Sequence, residues 1–433
     1  MPLYTHRLKD ELARKREHFT GYSDRFGHQL DAYRTALGRL GERYPDAATL
    51  THALSSAQSN ASRQVSLGAL PTREFDAWRA AGGRGLLQIP FGETFAHHEA
   101  ARAWAERLRG TTTLAVDGSQ LLPWRDASVP VALVQAGIFE NPHEPPAPYL
   151  KDVVTEVLGP DELTGTDPDI ADARTGEVLG YSERAVHLRR YELEVKTLIA
   201  RMKQHARQSG ESPNAASVPV VAFYDGSLIV SFALKMPPPY KERYVAASRA
   251  LLAASQQYRV PVLGYIDTSY ARDLVTMLRT LASLPSAGIA DPPLPDPQGL
   301  HDSQLFRAQL GWGERTVAFL SARDDLERMG YGEQRSDIAF VYFQAALDRP
   351  PARIELPRWI LDAGLLDGVI DVVRAETIVG NGYPYPIEAA DAVAVISMHD
   401  RAQFYALFQE WAEREGLPFT FSRKALSKSR RRV

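Results

Sequence analysis

Cysteine is missing from all 433 residues, which removes disulfide frameworks, thiolate zinc sites, iron–sulfur clusters and thiol nucleophiles together. Any metal must then be held by oxygen or imidazole. Nowhere do about 18 apolar residues run uninterrupted, so no membrane-spanning helix is expected. The opening stretch MPLYTHRLKDELARKREHF carries charge every few residues and has no apolar core, which predicts a soluble, cytoplasmic protein. Neither sign of charge dominates: 50 Lys and Arg face 53 Asp and Glu, a net charge of −3. A body coated in basic surface is thereby excluded, and any nucleic acid must be met by a local basic patch. The Gly-x-x-x-x-Gly-Lys-Ser/Thr phosphate loop is also lacking, so the chain by itself is no P-loop motor. Without a Gly-x-Ser-x-Gly elbow or a Gly-x-Gly-x-x-Gly fingerprint at a strand-to-helix turn, serine-hydrolase and dinucleotide-dehydrogenase readings fall as well.

What is present is ordinary globular material, 44% hydrophobic, long enough for two or three structural units or one enlarged domain. Residues 1 to about 110 show helical spacing, as in Leu30, Tyr33, Leu37, Leu40 and Tyr44, and predict a helical N-terminal region. Near Thr111 the texture changes. TTTLAVDGSQ, VPVALVQAGIF and KDVVTEVLG read as successive strands, and a Gly-, Asp- and Thr-rich loop follows over Gly159–Gly180. Ser182 is placed to cap a long helix to about Ala206, whose apolar stripe is Leu188, Tyr191, Val195, Leu198, Ile199 and Met202. VPVVAFYDGSLIVSF, a helix over Lys241–Tyr258, VPVLGYID and a helix over Ala271–Leu284 then alternate as α/β units do. Five prolines crowd residues 285–300, which predicts an excursion from the core. DIAFVYFQA reads as a further strand, and GNGYPYPIEAADAVAVIS as a Pro-rich loop leading into helices. The fold class expected is α/β. Its units are a helical region over 1–110, a mixed-sheet core with insertions over 111–400, and a C-terminal helix with a basic tail over 401–433.

The most informative feature is internal. One strand ends in Val-Asp-Gly-Ser at Asp117 and another in Tyr-Asp-Gly-Ser at Asp225, with an amphipathic helix bearing Glu192 and Glu194 between them. Asp-Gly alone is turn chemistry, because Asp tolerates the turn backbone and Gly supplies positive φ. Two copies on apolar strands flanking a helix invite a second reading. Sites built only from carboxylates suit Mg²⁺ or Mn²⁺, and clustered acids repel one another until such an ion arrives. Paired ions activate water and neutralise a leaving oxygen, which is a route to phosphodiester hydrolysis.

Taken together, LAVDGSQ, RRYELEV, VVAFYDGSLIVSF and GNGYPYPIEAADAVAVIS resemble the NurA nucleases, in pieces spread over about residues 111 to 400. The resemblance implies an RNase H-like mixed-sheet core and a metal-dependent DNA nuclease, acting as a 5′ to 3′ exonuclease and single-strand endonuclease. It further implies end processing in double-strand break repair beside a HerA-type hexameric ATPase, a homodimer whose channel receives the strands, and a place in the cytoplasm at the nucleoid. Two Mn²⁺ or Mg²⁺ ions about 3.5 to 4 Å apart are the implied cofactors. Carried over residue by residue, Asp117 and Asp225 match the family's strand aspartates, and a helix glutamate, Glu192 or Glu194, joins them. Both glutamates lie equally far from the centre of the apolar stripe, so periodicity does not choose; Glu194 is the nominal ligand. Where the family commonly has a histidine after an alanine, this chain has Ala390-Asp391. Asp391 either replaces that ligand with oxygen or marks the loss of a proton-handling group.

Further residues carry weaker signals. Asp267 ends another apolar strand and reads as a turn or as an addition to the cluster. Arg272 and Lys235 are candidate phosphate contacts, or solvated surface. His97, His98 and His399 have no histidine at i+4 and support no zinc site. Tyr383 and Tyr385 either stack on bases or pack their loop onto the core. The tail SRKALSKSRRRV, with six basic residues and no acidic one, is a salt-sensitive DNA grip, an acidic-partner contact or a solvated end. The alternatives to a nuclease are a non-catalytic DNA-end or translocase-binding module on a degenerate RNase H-like scaffold, and a phosphatase using the same carboxylates.

Overall fold

The β-branched and apolar runs after residue 110 form the strands that their composition predicts, and the sheet they build sets out the candidate site. In this computed structural model the described residues are 4–60, 66–83, 85–124, 127–164, 180–209, 218–284, 288–290, 293–324 and 337–420. The basic tail lies outside them, as does most of the loop expected over Gly159–Gly180. The chain divides into two compact units. Among the described residues, one comprises those within 95–265 and 356–420; the other comprises those within 4–94, 266–324 and 337–355.

The first of these carries five strands: β1 (Thr112–Leu121), β2 (Ala132–Asn141), β3 (Leu150–Leu158), β4 (Val220–Asp225) and β5 (Val262–Ile266). Their spatial order is β5-β4-β1-β2-β3. β1, β2 and β3 form an antiparallel meander, whereas β4 runs parallel to β1 and β5 parallel to β4. This is the RNase H-like mixed sheet that the family resemblance implies.

Helix α1 (Glu183–Ser209) follows the meander and begins at Ser182, whose hydroxyl accepts from the Ala185 N–H at 3.1 Å. Of its expected stripe, Leu188, Tyr191, Val195, Leu198 and Met202 are buried and Ile199 is half-buried, as a helix lying on a sheet requires. The two parallel crossovers, β1 through α1 to β4 and β4 through α2 (Pro238–Tyr258) to β5, supply the helices that parallel strands need. Its C-terminal helices include α3 (Leu366–Val379), α4 (Tyr385–Ala394) and α5 (Met398–Arg414). Glu376 of α3 is fully buried, accepts from the Thr113 hydroxyl at 2.7 Å and pairs with His143 Nε2 at 3.2 Å. A buried carboxylate without such partners is strongly destabilising, so these contacts tie α3 to the sheet.

In the other unit, Tyr33, Ala36, Leu37 and Leu40 of the long helix Arg16–Arg43 enter a core shared with Leu274, Leu278 and Phe306. The helical character expected of residues 1 to 110 is present, interrupted by two short strands that the sequence did not announce, Gly68–Pro71 and Gln88–Ile89. Gly68–Pro71 pairs antiparallel with Phe319–Ala322, which pairs in turn with Ile338–Phe343. A buried ionic network crosses this unit: Arg353 meets Asp273 at 3.1 Å, Glu355 at 2.8 Å and the Tyr342 hydroxyl at 3.2 Å. No described helix is long and apolar enough to cross a membrane.

Candidate metal and phosphodiester site

Parallel pairing brings the two aspartates together. The ladder between β1 and β4 aligns Ala115 with Phe223, and Asp117 and Asp225 each lie two residues further along. Neighbouring strands run about 5 Å apart, and the Asp225 charge is felt at Asp117. β4 stops at Asp225, because Gly226 takes φ +119° and donates its N–H to the Tyr265 carbonyl at 3.0 Å. β1 does not stop at Asp117. The sequence predicted a strand ending in an Asp-Gly turn, but β1 continues to Leu121, with Asp117 paired to Gly137 and Gly118 to Ala136. Gly118 is needed inside the strand for space rather than for a turn.

That space holds Glu194. A Cβ on residue 118 would overlap the Glu194 carboxylate. Gly137, opposite Asp117, lies under α4: a Cβ there would come within 2.5 Å of the Ala394 nitrogen. Directly opposed residues share a face, so α4 covers the face of Asp117 while α1 delivers Glu194 to the face of Gly118. Asp391 lies on α4 and completes the acidic surroundings.

Electrostatics records the convergence. Burial pushes the Asp117 carboxyl up to about 6, and the charges of Asp225 and Asp391 push the same way, while the Gly118 N–H and Arg190 oppose them. Burial pushes Glu194 up to about 7, opposed by Arg190 and aided by Asp117 and Asp225. Glu194 is 5% exposed. Its partner is Arg190, one turn earlier on α1, whose Nη1 pairs with Glu194 Oε1 and also donates to the Gly118 carbonyl at 3.1 Å. Among the described residues, no three His, Asp or Glu side chains are drawn tightly enough to hold one ion. Carboxylates near partial solvent nevertheless have the donor chemistry of a hard divalent cation.

Glu192 goes elsewhere. It accepts from Arg243 Nε at 2.8 Å and pairs with Arg189 at 3.5 Å. Tyr383 reaches the cluster in a role that sequence reasoning missed: its hydroxyl donates to Asp225 Oδ1 at 3.1 Å, and its ring meets Tyr265 edge-on at 5.3 Å. Tyr385 instead packs edge-on against Phe139 at 5.5 Å. Asp267 follows β5 directly and belongs to the other compact unit. Arg272 in that unit precedes the helix Asp273–Ala282 and faces His301 at 3.4 Å, while Lys235 is exposed at the end of the turn Ser231–Lys235. His97 accepts from the Ala100 N–H at 3.2 Å as a helix cap, His98 begins that helix, and His399 is exposed on α5. Arg190 was not singled out, although its i to i+4 spacing from Glu194 in RRYELE was a legible signal.

A family model described as the NurA domain matches residues 111–396. Among solved structures, NurA with manganese is similar at 11% identity, covering 69% of this chain and 89% of that one, with a TM-score of 0.36. NurA bound to dAMP and manganese is similar at 11% identity over 69% and 88%, with a TM-score of 0.32. The catalytic domain of human endonuclease V is similar at 13% identity over 77% and 93%, with a TM-score of 0.29. No curated protein sequence matches the chain.

Proposed function

The chain belongs to the NurA family, and from that premise we propose that it is a divalent-metal-dependent deoxyribonuclease that hydrolyses DNA phosphodiesters. The observation that carries this reading is geometric: Asp117 and Asp225 stand on neighbouring parallel strands, the Tyr383 hydroxyl donates to Asp225, and the Glu194 carboxylate, paired with Arg190, fills the space beside Gly118. The metal reading assigns Asp117, Glu194, Asp225 and Asp391 as the groups for two Mn²⁺ or Mg²⁺ ions. A divalent ion supplies Lewis acidity and charge neutralisation at a phosphodiester. In the same reading Asp391 stands as an oxygen donor in the family histidine's place, and the Tyr383 hydroxyl orients Asp225. The finer activity proposed is 5′ to 3′ exonuclease and single-strand endonuclease action, for end processing in double-strand break repair at the nucleoid. A HerA-type hexameric ATPase supplies the translocation that this chain, lacking a phosphate loop, does not, and the working form is a homodimer.

The experiment is degradation of linear duplex, plasmid and single-stranded DNA with Mn²⁺ or Mg²⁺, with and without a HerA-type ATPase, comparing wild type with Asp117→Ala. Cleavage by wild type that is lost in the variant is expected. One observation favours the non-catalytic binding module: Glu194 is already neutralised by Arg190. Absence of cleavage by wild type under every condition supports that module, and cleavage of small phosphate esters in place of DNA supports a phosphatase.

A further inference from the structure

Arg190 occupies an electrostatic position that a bound cation would also claim. It sits one turn before Glu194 on α1, and a single nitrogen, Nη1, engages both Glu194 Oε1 and the Gly118 carbonyl. Its positive charge acts on Asp117 as well. The two side chains differ in freedom. Arg190 is 29% exposed at the side chain and Glu194 only 6%. The buried Nε of Arg190 has no hydrogen-bond partner among the described residues, so the guanidinium is held mainly through one nitrogen. A long, partly exposed stem can swing away at little steric cost, whereas Glu194 is locked between α1 and the missing side chain of Gly118.

We propose that Arg190 is the site's own placeholder cation: it holds Glu194 onto Gly118 in the ion-free protein and yields when a divalent ion binds. The proposal rests on the metallonuclease reading. An ion using Glu194 Oε1 competes with Arg190 Nη1 for that oxygen, and a cation of charge two beside a guanidinium is repelled by it. Ion uptake therefore includes the release of Arg190. A fixed buttress would act in the opposite sense, since its removal would let Glu194 drift and weaken ion binding. The sign of the change in affinity separates the two.

The test is calorimetric titration of the full chain with Mn²⁺, in the absence of DNA and at constant pH, for wild type, Arg190→Gln and Arg190→Lys. Arg190→Gln is expected to bind Mn²⁺ at least about tenfold more tightly, and Arg190→Lys, which keeps the charge, to stay within about threefold of wild type. Wild-type or weaker Mn²⁺ affinity in a folded Arg190→Gln overturns the placeholder role. Should that variant not fold, the side-chain Nε–H resonance of Arg190 in wild type replaces it. That resonance is expected to move on addition of diamagnetic Mg²⁺, and an unmoved signal at saturation overturns the proposal. Failure of wild type to take up either ion sinks the metallonuclease reading itself, an outcome distinct from both.

Discussion

The Glu194 carboxylate lies where a side chain on residue 118 would have to be. A glycine inside a strand ordinarily weakens it, so its presence in the middle of β1 reflects the close approach of another group. Gly118→Ala should therefore act on Glu194 rather than on the strand. The expected result is a folded protein, destabilised by about 1 to 3 kcal/mol, whose nuclease activity and Mn²⁺ affinity fall by more than about tenfold. Activity assays and calorimetry check this; wild-type metal affinity would show that Glu194 is free to move aside.

The two helix glutamates are expected to separate cleanly. Glu194→Gln should lower activity by more than about a hundredfold, because even groups that only support a metal ligand alter affinity or activity by 10–100-fold. Glu192→Gln should leave kcat within about twofold and change stability by less than about 1 kcal/mol, since its partners are Arg243 and Arg189 at a partly exposed surface. Steady-state kinetics on one oligonucleotide compares them directly.

The raised proton affinity of Asp117 makes stability depend on pH with a definite sign. Its folded value of about 6 lies above the ordinary 3.8, so its favourable contribution is full below about pH 4 and is lost as pH rises through 6. The ion-free Asp117→Asn variant should be more stable than wild type at about pH 8, on the order of 1 kcal/mol once solvent screening is allowed for, with the difference vanishing near pH 4. Urea denaturation at the two pH values in the presence of a chelator measures it. Added Mn²⁺ should stabilise wild type at the higher pH and leave the variant nearly unchanged.

Tyr383 offers a test of orientation rather than charge. Tyr383→Phe keeps the ring against Tyr265 and removes the donor to Asp225. Activity is expected to fall about tenfold, the scale of one hydrogen bond to a charged group, with the melting temperature nearly unchanged. An unaltered kcat would assign the hydroxyl to packing alone.

Much of the nuclease core was legible because its signals are local. The apolar runs at TTTLAVDG, VPVVAFYD and VPVLGYID could only be buried strands, and the stripe from Leu188 to Met202 made α1 a sheet-covering helix. Less legible was the unit that joins residues 1–94 to 266–324, because its strand pairing links segments about 250 residues apart, as Leu70 with Leu320 shows. The expected turn at Asp117-Gly118 failed for a related reason. Turn propensity is a property of two residues, while the choice to continue β1 was made by Gly137 and Ala136 on β2.

By itself the sequence determined the chemistry available: no thiol, no phosphate loop, and two aspartates each following an apolar run and preceding a glycine, with two glutamates on the helix between them. Which glutamate meets those aspartates was beyond it, because Glu192 and Glu194 flank the apolar stripe symmetrically and helical periodicity treats them alike. The tertiary structure decided between them through one missing methyl group. The Glu194 carboxylate fills the space that Gly118 leaves, with Arg190 against it, while Glu192 turns to Arg243 and Arg189.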